Sequence, residues 1–267
     1  MSRARRIKKK KQDIQGKLFF IVGILILGIL GFSFYQEKSN EVIRDKVSLC
    51  REDGFITTEN VILIDATDSF NSTQALMVKK ELKSILDNSP IDSRFSLYVI
   101  NTNISDEKPL LEICNPGDGG DKSELTSNKR RLLKTWQENF YEKMITQVDF
   151  LIDVNVADSS PIMETIKYAS VNSFYNSVAQ NKKLILVSDL LQHTKNYSIY
   201  KENISYDTFS SRSVANSLTP SLNDVDIEIL YLYRTKDANK QNRKHIAFWE
   251  QYFSGGGAVL TRVKKVN

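Results

Sequence analysis

Histidine and cysteine are nearly absent: His193, His245, Cys50 and Cys114 are all that the 267 residues contain. With no C-x-x-C pair and two imidazoles, a zinc or other Cys/His metal site is excluded. A G-x-x-x-x-G-K-[ST] phosphate loop is missing, as is a G-x-S-x-G nucleophile elbow. These absences argue against nucleoside triphosphate chemistry and against a serine hydrolase. The two cysteines leave two options open, one disulfide or a pair of buried thiols. No internal repeat is visible. Basic charge is also scarcer than the formal net charge of +5 suggests, because residues 1–17 hold eight of the 37 Lys and Arg but one of the 32 Asp and Glu. The body is therefore slightly acidic and lacks the basic face that a nucleic-acid-binding domain presents.

What is present begins with an uncharged stretch. "LFFIVGILILGILGFSFYQ", residues 18–36, spans roughly 28 Å as a helix, close to the thickness of a bilayer core. It ends in aromatic residues rather than at a small-residue cleavage site, so it reads as a retained signal anchor. Gly23, Gly28 and Gly31 make no GxxxG pairing motif. Basic residues crowd its N-terminal flank, which places residues 1–17 in the cytoplasm and the body outside it. The expected setting is the inner (plasma) membrane of a bacterium, spanned once, with the domain in the periplasm. Residues 37–57 read as a linker or lead-in, and the domain proper as 58–266.

From residue 55 onward, short β-rich runs alternate with helical patterns. The runs are "VILI" (61–64), "RFSLYVI" (94–100), "KLILVS" (183–188), "DIEILYLY" (226–233) and "AVLTRV" (258–263). Between them, Val78, Leu82, Ile85 and Leu86 share one helical face, Leu132, Trp136, Phe140 and Met144 recur every four residues, and Ile246, Trp249 and Phe253 form a last stripe. Strands apolar on both faces, separated by helices, imply an α/β fold with a doubly wound, mostly parallel central sheet flanked by helices. "NPGDGGDKSE" (115–124) is a turn-rich loop, and the polar stretch 193–213 is long enough to be either functional or mobile.

In such a sheet, ligands gather where strands end and chain order reverses. Asp65 follows "VILI", Asp189 follows "LILVS", and Ser159 and Ser160 precede a helix opened by Pro161. Alternation along "DATDS" puts Asp65, Thr67 and Ser69 on one side and Ala66 and Asp68 on the other. A carboxylate and two hydroxyls facing one point are hard oxygen ligands suited to Mg²⁺, with Asp189 and Ser160 able to complete the shell directly or through water.

These residues resemble the metal-ion-dependent adhesion site of the von Willebrand factor type A family. The family's Asp-x-Ser-x-Ser loop matches Asp65, Thr67 and Ser69, its helix-start Thr matches Ser160, and its later Asp matches Asp189. Leu190 stands where many members have Gly, and residues 102–158 follow no family pattern. The resemblance implies a Rossmann-like fold over about residues 58–266 and a metal site for Mg²⁺ or Mn²⁺. It further implies a protein partner whose acidic side chain completes the metal shell. His193, Tyr197 and Tyr200, in the loop after Asp189, are the expected partner-binding residues. No catalytic residue is expected. A phosphatase that opens with an Asp after its first strand would carry a second Asp where Thr67 stands. The alternative is a metal-free scaffold subunit of an envelope assembly.

Overall fold

The computed structural model describes residues 3–39, 42–102, 108–122, 124, 127–152, 157–201 and 204–267. Residues 1 and 2 of the basic tail, 40 and 41 of the lead-in, and 202 and 203 of the long loop lie outside them. The chain divides into two units, one of Met1–Ile43 with Lys122–Asn128, the other of Arg44–Asp121 with Lys129–Asn267. In the first, helix α1 (Arg3–Ser39) runs through the basic tail and the apolar stretch without a break. Its window Gly16–Ser33 has a mean hydropathy of 2.2, so it is long and apolar enough to cross a membrane.

The second unit contains β1 (Thr58–Asp65), α2 (Ser72–Asp87), β2 (Arg94–Ile100), β3 (Leu111–Cys114), α3 (Lys129–Thr135), α4 (Glu142–Ile152), α5 (Ile162–Ala169), β4 (Asn181–Ser188), α6 (Tyr206–Ser210), α7 (Ser213–Leu218), β5 (Val225–Leu232), α8 (Arg243–Gly255) and β6 (Val259–Val266). The sheet order is β3-β2-β1-β4-β5-β6. All neighbours are parallel except β2 and β3. This is the doubly wound α/β architecture that the apolar runs imply. The order reverses between β1 and β4, the place where doubly wound sheets carry a ligand crevice beyond the carboxyl ends of the strands.

Alternation within the strands feeds two cores. Val61, Leu63, Leu184, Leu186, Ile227 and Ile229 face one layer with α5 and α8. Ile62, Ile64, Ile185, Val187, Phe95 and Leu97 face the other with α2 and α4. Because side chains on a strand alternate between faces, only central strands that are apolar throughout can supply both layers.

Three features depart from the sequence reading. The folded unit starts at Arg44, ahead of residue 58. Arg44 and Arg51 form an isolated bridge and both pair with Asp92, at 2.6 and 3.4 Å. Cys50 is disulfide-bonded to Cys114 at the end of β3, which decides between the two options left by the cysteines. β3 itself was not foreseen, being four residues long, antiparallel and half exposed. Finally, the period-four stripe passes through a π-helical stretch, Trp136–Tyr141, between α3 and α4. Strict four-residue spacing drifts by about 40° per step on a 3.6-residue helix, and one wider turn returns Phe140, Met144 and Val148 to the core.

Candidate functional site

β1 delivers Asp65 to the crevice and then stops, because the chain turns on that residue. The Oδ1 of Asp65 accepts from the Thr67 backbone N–H at 3.1 Å and from the Thr67 hydroxyl at 2.5 Å. This is an Asx-type turn, so Asp65 and Thr67 meet through a local hydrogen-bonded loop rather than through extended alternation. The Oδ2 of Asp65 accepts from Ser188 Oγ at 2.6 Å, from the last residue of β4. Asp189 comes next and caps its own turn, with Oδ1 accepting from Leu191 N–H at 2.9 Å.

Leu190 takes the position where the resembled family often has Gly, and its φ is +63°. A left-handed conformation costs a leucine about 1 kcal/mol or more. The surroundings hold it there. Its side chain is fully buried, and its carbonyl accepts from Trp249 Nε1 at 3.1 Å and from His245 Nε2 at 3.0 Å. The Nδ1 of His245 in turn accepts from the Tyr231 hydroxyl at 2.7 Å, and burial pulls this histidine's pKa down to about 4. It is thus a neutral structural group.

Ser160 is brought to the same edge by an antiparallel bridge to His193, with N–H to carbonyl bonds of 2.8 and 2.9 Å. A bond from Ala157 N–H to the Thr67 carbonyl, 2.8 Å, ties this segment to the Asp65 loop. Ser160 does not cap α5; the Met163 N–H in its first turn donates instead to Gln192 Oε1. The Ser160 hydroxyl is buried and, among the described residues, has no hydrogen-bond partner. Ser69 is exposed and meets the site through its carbonyl. Asp68 turns its carboxylate to Lys236 Nζ, at 3.3 Å.

Sequence reasoning missed Arg234, two residues beyond β5. Its Nε donates to Asp189 Oδ2 at 3.2 Å, one Nη to the Ser69 carbonyl at 2.6 Å and to Gln74 Oε1 at 3.3 Å, and the other Nη to the Asp68 carbonyl at 3.4 Å. Gln74, buried in α2, also donates to the carbonyls of Tyr233 and Val266. Gln241 accepts from Arg234 N–H and donates to the carbonyls of Asp189 and Leu232. An open pocket of about 330 Å³, lined by Asp68, Ser69, Asn71, Gln74, Arg234 and Lys236 among others, adjoins the guanidinium. Its signal in the sequence is a lone arginine just past a central apolar strand, at the ligand edge.

Of the expected partner-binding residues, Tyr197 is corrected. It is 4 % exposed, and its ring packs edge-on to Phe209 at 4.9 Å and stacks on Phe248, inside the core. The described residues of the long polar stretch are anchored by Tyr197, Ile199 and Phe209 through non-local contacts that have no local period. Tyr200 is 39 % exposed, with His193 against its ring at 5.3 Å and Lys240 over it at 5.2 Å. His193 is half-buried and bonded through Nδ1 to Ser198 Oγ.

Burial raises the pKa of Asp65, against hydrogen bonds from Ser188 and Thr67 that lower it. Burial, and next the negative charge of Asp65, push Asp189 up to about 7, with Arg234 opposing. A carboxyl whose pKa is higher folded than unfolded holds an extra proton in the folded state. Its contribution is complete below about pH 4 and is lost as pH rises through about 7. In EDTA, the urea midpoint followed by tryptophan fluorescence is expected to fall between pH 5 and pH 8. Asp189→Asn should flatten that slope, and an equal slope in the variant would assign it to another group.

Among the described residues no three His, Cys, Asp or Glu side chains form a metal cluster. Any metal here would rest on two carboxylates and on hydroxyls. The donor chemistry fits a small hard cation: Asp65 and Asp189 outnumber Arg234, and the buried Ser160 hydroxyl has an unused lone pair.

No protein-family model matches this chain, and no curated protein does. Solved structures with some similarity include an aerotolerance-related membrane protein from Bacteroides fragilis, at 12% identity over 79% of this chain and 92% of that one, with a TM-score of 0.38. The conserved hypothetical protein BatB from Bacteroides thetaiotaomicron gives 11% identity over 79% and 91%, with a TM-score of 0.38. Proximal thread matrix protein 1 from the mussel byssus gives 13% identity over 79% of this chain and 44% of that one, with a TM-score of 0.37.

Proposed function

We propose that this chain is a single-pass membrane protein whose extracytoplasmic domain, of the von Willebrand factor type A kind, binds a protein partner at the carboxyl edge of its sheet. The observation that carries this reading is the pair of buried carboxylates, Asp65 and Asp189, at the carboxyl ends of β1 and β4, where chain order reverses, with the Ser160 segment tied to the Asp65 loop through the Ala157–Thr67 bond. Asp65, Thr67, Ser69, Ser160 and Asp189 would hold Mg²⁺ or Mn²⁺ there, directly or through water. The ion would supply positive charge to an acidic side chain of the partner. His193 and Tyr200 border the edge and would line the contact. The bonded Cys50–Cys114 pair supports a domain in an oxidising compartment, outside the cytoplasm.

Binding rather than phosphoryl turnover is the reading favoured by Thr67, which stands where a phosphatase of similar opening would place its acid. A metal-free scaffold has one specific observation in its favour, the Arg234 guanidinium on Asp189. The test is photo-crosslinking in intact membranes from Tyr200 replaced by a photoreactive residue. A discrete adduct is expected, retained with Mn²⁺ and lost both in EDTA and in Asp65→Ala. An adduct unchanged in Asp65→Ala would remove the carboxylate site from partner binding.

A further inference from the structure

We propose that Arg234 is a tethered cation that competes with metal for the Asp189 carboxylate, so that the site fills only when the guanidinium is displaced. This rests on the reading of Asp65 and its neighbours as a metal site. Arg234 touches both chain segments that would coordinate an ion. One is the loop after β1, through the carbonyls of Asp68 and Ser69, and the other is the turn after β4, through Asp189 Oδ2. The guanidinium's planar fork suits such a bridge, since several N–H donors leave one plane toward separate oxygens.

The side chain is 10 % exposed and the Asp189 side chain 6 %, so the pair is buried and its geometry defined. Gln241 fixes the Arg234 backbone from below, and Gln74 accepts from its head. This is a built contact, unlike the neighbouring Lys236–Asp68 pair, in which Lys236 is 66% exposed.

Charge makes the two cations exclusive. When both are ionised, Asp65 and Asp189 bring two negative charges, and Arg234 returns one. A divalent ion added to that set leaves a buried excess of positive charge, which is costly in a low-dielectric crevice. With the guanidinium gone, two carboxylates and one divalent ion balance. An arriving carboxylate from a partner would favour the exchange, because it offers the displaced guanidinium a new counter-ion. Metal affinity in the free protein would then be weak and would rise with the partner present.

The test is Mn²⁺ titration of the full chain in detergent, by calorimetry and by electron paramagnetic resonance of free Mn²⁺, for the wild type, Arg234→Ala and Arg234→Gln. The glutamine variant keeps a neutral donor over Asp189 and guards against loss of fold, which circular dichroism checks. Both variants are expected to bind Mn²⁺ at least about tenfold more tightly than the wild type, and adding Asp65→Ala to either should abolish the gain. Measurable binding that is equal or weaker in both variants overturns the competition while leaving the metal site standing. A gain that survives Asp65→Ala places the ion elsewhere and overturns it too. No binding by any folded form up to millimolar Mn²⁺ refutes the metal site itself, and the competition with it.

Discussion

Replacing Cys50 and Cys114 by alanine is expected to destabilise the domain by about 4 kcal/mol, the loop-closure entropy of cross-linking residues so far apart in sequence. The bond closes a loop with a sequence separation of 64 and fastens the lead-in to the edge strand β3. Other contacts support the same corner: Cys114 N–H donates to the Ser48 carbonyl at 2.8 Å, and Arg44 and Arg51 pair with Asp92. These are partly exposed ion pairs, whose usual contribution is at most about 1 kcal/mol each. They cannot replace the cross-link. Urea titration of the full chain in detergent, followed by tryptophan fluorescence, should show the midpoint falling sharply in the double variant and in wild-type protein under reductant. A loss below about 1 kcal/mol would mean that the unfolded chain is already restrained there, or that the ion pairs carry the corner.

The second large effect is expected at Trp249. This side chain is fully buried in α8, with ring centroids 5.1 Å from Tyr252 and 5.8 Å from Phe253. Trp249→Ala should cost about 3–5 kcal/mol, the range for emptying so large a core position. Trp249→Phe separates packing from hydrogen bonding: it keeps most of the apolar volume but removes the Nε1–H that holds the Leu190 carbonyl. That change should cost about 1–3 kcal/mol. Amide exchange at Leu190–Gln192 should accelerate more than in β1 or β5, because the left-handed turn at Leu190 loses one of its two restraints. Uniform acceleration across the sheet would show that the turn is held by other means. With Trp249 altered, Trp136 remains as the fluorescent probe.

Much of this fold was legible because its central strands are apolar on both faces. "VILI" and "LILVS" can only be buried strands, and the acids that end them mark the crevice. What escaped was set by non-local contacts. β3 is stabilised by pairing with β2 and by the disulfide, not by a pattern of its own. Tyr197 looked like a surface aromatic in a polar loop, yet Phe209 and Phe248 draw it inward. Arg234 sits in "YLYRTKDANK", which reads as an apolar strand running into a solvated turn. Only the folded arrangement shows its guanidinium crossing to Asp189 and Ser69. Ser188, the second donor to Asp65, was hidden as the last letter of a strand.

Gln74 joins α2 to the carbonyl of Val266, at the end of β6, and Val266 is fully buried. Since β6 runs parallel to β5, whatever is joined after Asn267 leaves the domain from the same edge that carries Asp65 and Asp189. A fluorescent protein or purification tag fused there would stand at that edge and, under the proposed function, would mimic a loss-of-binding mutation. Reporters are better inserted near Asp118, an exposed turn far along the chain from either acid.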